Sequence, residues 1–167
     1  MFNKNSIIGI VVSIIFLGGI VWAAKVTTAD PKTQNETASS QGILSTDEKS
    51  FDFGTVSMAK GTVTHAFKIK NTGTETVSID KLYTSCMCTV ATWVKGNDKA
   101  GPFGMPGHSF TPSIERELKP GEEATIEATF DPAAHGPAGV GKIQRVVVLE
   151  SNAGAPFEFE FTATVTP

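Results

Sequence analysis

Cys86 and Cys88 stand in the run Ser85-Cys86-Met87-Cys88-Thr89 and are the only cysteines of a 167-residue chain. Side chains two apart on a strand project from the same face. On a strand this pair would therefore offer two thiols side by side, with Met87 on the opposite face. Three roles compete for them. They are small buried hydrophobes, as free cysteine often is, or they pair with each other, or both ligate one metal ion. Self-pairing is least favoured by geometry. The bridge needs Cβ atoms about 3.5–4.5 Å apart, and an extended Cys-x-Cys holds them further apart.

A metal pair needs further ligands, and those must come from loops. Gly101 to His108 is a Gly/Pro-rich stretch that places Met105 and His108 three residues apart, and Asp131 to Gly141 (DPAAHGPAGVG) carries His135. Thiolate, thioether and imidazole form a soft set that selects Cu(I) first and zinc second. Without the methionines, Cys86, Cys88, His108 and His135 would make a Cys₂His₂ zinc set. The competing reading leaves both histidines exposed on their loops and Met105 packing its loop onto the domain. A blue-copper centre, which wants two His, a single Cys and a weak axial Met, has no counterpart here.

Catalytic readings find less support. A Cys-His nucleophile needs a base and an orienting group, and thioredoxin-like exchange wants Cys-x-x-Cys at a helix start. There is no P-loop and no G-x-S-x-G. The chain reads as a non-enzyme.

The elements that position these residues are strands. Val63, His65, Phe67 and Ile69 alternate with Thr64, Ala66, Lys68 and Lys70 before the turn Asn71-Thr72-Gly73. Ala124, Ile126, Ala128 and Phe130 alternate with Thr125, Glu127 and Thr129 after the turn Lys119-Pro120-Gly121-Glu122. Phe157, Phe159, Phe161, Ala163 and Val165 share a face, with Glu158, Glu160, Thr162 and Thr164 opposite. Such alternation marks half-buried strands, here expected to be antiparallel. Further strands are expected over Val77 to Leu82, Tyr83 to Ala91 and Ile143 to Glu150, with a hairpin turn at Ser151-Asn152-Ala153-Gly154. The parity of His65 makes it a hydrogen-bonded core histidine, outside the site. About seven short strands and no amphipathic helix predict an all-β, immunoglobulin-like β-sandwich, whose loops cluster at its two ends. That clustering could bring the histidine loops to the cysteines.

Ile7 to Ala24 (IIGIVVSIIFLGGIVWAA) is eighteen residues without a charge. A spanning helix needs about 20 residues (range about 17–25), against about 7–15 for the apolar region of a signal peptide. Length thus predicts one N-terminal transmembrane helix within residues 1–24 that anchors the chain in the cell membrane as a single pass. Val21-Trp22-Ala23 resembles a signal-peptidase site, and cleavage there would make the protein secreted. Residues 25–46, rich in Thr, Ser, Ala, Gln and Asn, read as a flexible linker. The sandwich occupies 47–167 and is expected to be extracytoplasmic, either periplasmic or at the cell surface.

The run Phe51-Asp52-Phe53-Gly54, then Phe67 to Gly73, then Ser85 to Thr89, then Lys119 to Glu122, then Phe130-Asp131-Pro132 resembles a bacterial family of exported Ig-like domains of unknown function. The resemblance spans Phe51 to about Val165 and implies an Ig-like sandwich. That family carries an S-C-G-C-T strand; here Met87 stands in place of the glycine, and Lys95 to Thr111 looks like an added loop. The family brings no established activity.

Composition narrows the partners. Fourteen basic and seventeen acidic residues give a net charge of −3, with none of the basic excess that tracks a phosphate backbone, so nucleic acid is not expected. A mean hydropathy of +0.00 averages the apolar segment against the polar remainder. The function expected is membrane-tethered binding with a copper(I) or zinc site of Cys86, Cys88, Met105, His108 and His135. The alternatives are a metal-free module that holds a protein partner by strand addition or loop contacts, and a thiol redox protein.

Overall fold

The computed structural model describes residues 42–108 and 112–167. The apolar segment at Ile7 to Ala24 lies outside them. Among the described residues no helix is long and apolar enough to cross a membrane.

Ten strands follow one another: β1 (Leu44–Ser45), β2 (Ser50–Ser57), β3 (Val63–Asn71), β4 (Val77–Thr84), β5 (Thr89–Lys95), β6 (Asp98–Phe103), β7 (Ser113–Leu118), β8 (Glu123–Phe130), β9 (Gly141–Ser151) and β10 (Phe157–Thr166). They form two five-stranded sheets, ordered β1-β3-β8-β5-β6 and β2-β10-β9-β4-β7. The expected all-β sandwich is present, with ten strands in place of about seven. The difference lies in short edge strands with little alternation. Leu44 and Ser45 pair with Asn71 and Lys70 inside the stretch read as linker. Part of the presumed added loop, Asp98 to Phe103, is an edge strand hydrogen-bonded to β5. One expected direction is also corrected, since β2 runs parallel to β10.

The core lies between the sheets and is made by the alternation itself. Phe67, Ile69, Ile126, Ala128, Ala91 and Trp93 from one sheet meet Phe159, Phe161, Val147, Leu149, Ile79 and Leu82 from the other, all buried. Each large apolar side chain contributes about 1.5–3 kcal/mol of transfer free energy. His65 shares the inward register but sits at the rim. Its ring stacks on Phe51 with centroids 3.6 Å apart, and its Nε2 hydrogen-bonds Glu48 Oε2 at 2.8 Å.

The turn at Asn71 closes one end of the sandwich. Asn71 is fully buried, and its Nδ2 donates to the carbonyls of Glu75 and Leu118, both at 2.8 Å. Its Oδ1 accepts from the backbone N–H of Gly73 and of Ile43. The Asn71 N–H donates to Glu122 O, and Gly121 N–H donates back to Asn71 O. The Asn-Thr-Gly and Pro-Gly-Glu turns are thereby tied into one knot. A buried amide satisfied at both ends is stabilising, and costly to break.

Candidate metal and thiol site

The cysteines are not on a strand. β4 ends at Thr84 and β5 begins at Thr89, and the residues between make a tight turn in which Thr89 N–H donates to Cys86 O at 3.1 Å. The reason lies in β4. Its register shifts between Ile79 and Lys81, so that Leu82 and Thr84 face inward and Thr84 is buried. The Thr84 hydroxyl then faces two carbonyls, Cys86 O at 3.0 Å and Thr89 O at 2.9 Å, and braces the turn. Neither Met87 nor Cys88 adopts a positive φ, so methionine stands at the corner without backbone strain. It is exposed there.

The turn overturns the geometric case against self-pairing. Two residues of extended chain span about 6.6–6.8 Å, whereas the Cα atoms of Cys86 and Cys88 are 5.3 Å apart, inside the usual disulfide range of about 4.4–6.8 Å. Their sulfurs meet at disulfide distance. The pairing that extended geometry favours least is the one the fold brings about. The two sulfurs are not equivalent, since Cys86 is half-buried while Cys88 is buried at 3% exposure.

Sheet pairing brings the other groups to this turn. β5 and β8 are neighbours with Thr89 opposite Phe130, and one step beyond, Asp131 N–H donates to Cys88 O at 2.9 Å. The loop after β8 therefore starts against Cys88. Asp131 Oδ1 accepts from Ala133 N–H, and Gly136 (φ +56°) takes the left-handed backbone that turns the chain after His135. At Gly139 a Cβ would lie 3.2 Å from the Cβ of His135, so glycine permits the chain to pass close to His135. His135 Nε2 comes to rest 3.2 Å from the Cys86 sulfur. On the other side Ser85 extends the β4–β9 ladder, its N–H donating to Val146 O and its hydroxyl accepting from Val146 N–H, both at 2.9 Å. Arg145, next along β9, donates from Nε to the Cys88 sulfur at 3.2 Å.

Cys86, Cys88 and His135 place their ligand atoms within 4.8 Å of one another. His108 lies outside this group. It is exposed, and its N–H donates to Met105 O at 3.2 Å in the loop after β6. Met105 is half-buried, one residue beyond Gly104, whose carbonyl accepts from Thr84 N–H. Of the cysteines and histidines proposed from sequence, Cys86, Cys88 and His135 come together and His108 stands apart. Arg145 was missed, although a signal existed. It shares register with Ile143, Val147 and Leu149 on β9, and a charge on the inward parity of a strand is unusual enough to mark a site. Among the described residues no carboxylate pairs with it, the ion pairs of the domain lying elsewhere.

A soft cation fits the donor set, with one condition. Two thiolates and an imidazole are the ligands Cu(I) prefers, but sulfurs bonded to each other cannot serve as thiolates, so only the dithiol form could hold an ion.

The family described as "Protein of unknown function (DUF1573)" matches residues 44–104. The matched span includes the cysteine turn and ends before the loop of His135 and the strand of Arg145. It is shorter than the Phe51 to Val165 stretch on which the resemblance was drawn. No curated protein matches the chain. Among solved structures, a protein of unknown function from Porphyromonas gingivalis W83 is similar with a TM-score of 0.56 at 17% identity, over 80% of this chain and 51% of that one. The chain thus spans about half of that protein's length. The ASH/PapD-like domain 7 of human CEP192 is similar with a TM-score of 0.47 at 16% identity, over 83% of this chain and 92% of that one. At these identities the likeness is one of fold.

Proposed function

We propose that this domain is an immunoglobulin-like binding module whose ligand is a soft metal ion, Cu(I) in preference to zinc, held by Cys86, Cys88 and His135. The observation that carries the reading is the convergence of two sulfurs and one imidazole nitrogen within 4.8 Å from two separate loops. Ligand number supports Cu(I), because structural zinc sites are almost always four-coordinate and the Cys/His/Asp/Glu cluster supplies three. The uncharged stretch Ile7 to Ala24 supports a single-pass tether in the cell membrane with the domain on the extracytoplasmic side, or a secreted domain if that stretch is cleaved. In this reading the module acts by binding. A second reading, a metal-free contact with a protein partner, is favoured by Met87 and Val140, two exposed apolar side chains on the loops that build the site.

The test uses the full chain in detergent, reduced with a non-thiol reductant and freed of metal. It is offered Cu(I) and zinc separately, and stoichiometry is read by elemental analysis. One Cu(I) per chain is expected, retained against washing and lost in Cys86→Ser/Cys88→Ser. Failure to retain a stoichiometric ion, or retention unchanged in the double variant, overturns the reading.

A further inference from the structure

The Cys86–Cys88 pair is asymmetric in two independent ways. Cys86 is half-exposed at the mouth of the turn, whereas Cys88 is buried beneath it. The Arg145 guanidinium lies 3.2 Å from the Cys88 sulfur, while the Cys86 sulfur has an imidazole nitrogen beside it. Thiol–disulfide exchange is decided by which sulfur can be reached and by how well the departing sulfur bears its negative charge. Here both criteria choose the same direction.

We infer that the pair is a directional thiol–disulfide exchange centre, in which a thiolate from a dithiol reductant attacks Cys86 and Cys88 is the leaving sulfur, its charge compensated by Arg145. In the first step a bond forms between the incoming sulfur and Cys86 Sγ. The Cys86–Cys88 bond breaks, and its electron pair goes to Cys88 Sγ, which lies against the guanidinium. In the second step the other thiol of the reductant attacks its own sulfur in the mixed disulfide, and Cys86 departs and takes up a proton from solvent. The dithiol is oxidised to a disulfide and the Cys86–Cys88 pair is reduced by the same two electrons. Arg145 is a positioning residue in this scheme, acting on the charge of Cys88. The exchange stands apart from the metal reading and adds a condition to it, since only a centre opened in this way presents two thiolates to an ion.

The test uses the oxidised full chain in detergent with excess chelator. Glutathione opens the pair; the reaction is then quenched in acid, the protein unfolded, the released thiol capped with N-ethylmaleimide, and both sites located by peptide mass spectrometry. Glutathione on Cys86 and the cap on Cys88 are expected, in a ratio of about ten to one or more. Opening by dithiothreitol should slow about tenfold in Arg145→Gln and recover most of its rate in Arg145→Lys, which keeps the charge. Near-UV circular dichroism checks that both variants keep their tertiary packing. The reverse labelling, equal labelling, or two free thiols in the air-equilibrated, metal-free protein would overturn the proposal. An Arg145→Gln rate equal to that of the unaltered chain would overturn the role of Arg145, and if that variant unfolds, the Arg145→Lys rate and the labelling pattern decide. A reduced protein that cannot hold Cu(I) but shows the expected labelling defeats only the metal reading. Retained Cu(I) with the reverse labelling defeats only this one.

Discussion

The two ends of strand β8 show how one sandwich can be closed at one end and poised for chemistry at the other. At Glu123 the strand adjoins Asn71, whose amide is buried with hydrogen bonds at both Nδ2 and Oδ1. At Phe130 it adjoins the cysteine turn, where two sulfurs, an exposed imidazole and a half-buried guanidinium meet. Both ends use side chains to tie loops that are distant in sequence. At the Asn71 end the buried amide bonds only to backbone, so its substitution should be felt in folding. At the cysteine end the contacts join side chains that are polarisable, charged or redox-active, so substitution should be felt in ligand and electron exchange.

The largest effect that would break this contrast is expected from Asn71→Ala. Leaving the Leu118 and Glu75 carbonyls and the Gly73 N–H without their partners should cost roughly 2–4 kcal/mol, read as a lower denaturant midpoint at unchanged slope. Cu(I) stoichiometry should persist wherever the variant remains folded. An Asn71→Ala protein as stable as the unaltered one would mean that this end is not the structural clamp.

The Cys86→Ser/Cys88→Ser variant should lose metal retention entirely yet cost only about 1–2 kcal/mol in the oxidised protein, because the bond closes a very short loop and restricts the unfolded chain little. A stability loss matching that of Asn71→Ala would remove the distinction between the two ends. His135→Ala should change the unfolding free energy by no more than about 0.5 kcal/mol, as is usual for an exposed side chain. Its Cu(I) affinity should fall by about tenfold or more, measured by competition with a chromogenic chelator. Unchanged affinity would leave His135 a bystander.

The smallest expected effect is that of acid, which sharpens the contrast from the structural side. Lys95 hydrogen-bonds Glu122 and, with a second bond from Lys119 N–H, holds its carboxyl below the ordinary 4.5. Lys70 does the same for Glu123. A folded-state pKa below the unfolded one adds stability that is complete above the unfolded value and is lost as pH falls through the folded value. Thermal stability should therefore hold between about pH 7 and 5 and decline below about 4.5. The decline should be modest, because these pairs are exposed and screened. Lys95→Met should make it shallower, and an unchanged acid slope in that variant would place the sensitivity elsewhere.

Much of the fold could be read from alternation. β3, β8 and β10 are runs in which one parity is mostly apolar and the other mostly polar, and a period of two is a local property of neighbouring residues. The edge strands β1, β2, β6 and β7 escape that reading, because an edge has few buried positions and so little pattern. The Tyr83 to Ala91 stretch departs from the expected strand for a different reason. Cys86, Met87, Cys88 and Thr89 all suit a strand, and no glycine or proline marks the turn that Thr84 braces from within the core. The site was legible as a set of residue types and only partly as a place. Residue type points to Cys86, Cys88 and His135, which the fold brings together, and equally to His108, which stands apart, whereas Arg145 reaches Cys88 through sheet pairing that residue type does not reveal.

The sequence by itself determined a sandwich that carries two cysteines separated by one residue, because strand alternation and the chemistry of a thiol belong to single residues and their neighbours. Only the tertiary structure decided that the cysteines face each other, and that His135 and Arg145 attend opposite sulfurs. Those contacts depend on β5 lying beside β8 and β4 beside β9. The residues they join are 49 and 57 positions apart, a distance that no local pattern spans and that closing two sheets over one core brings to a few ångströms.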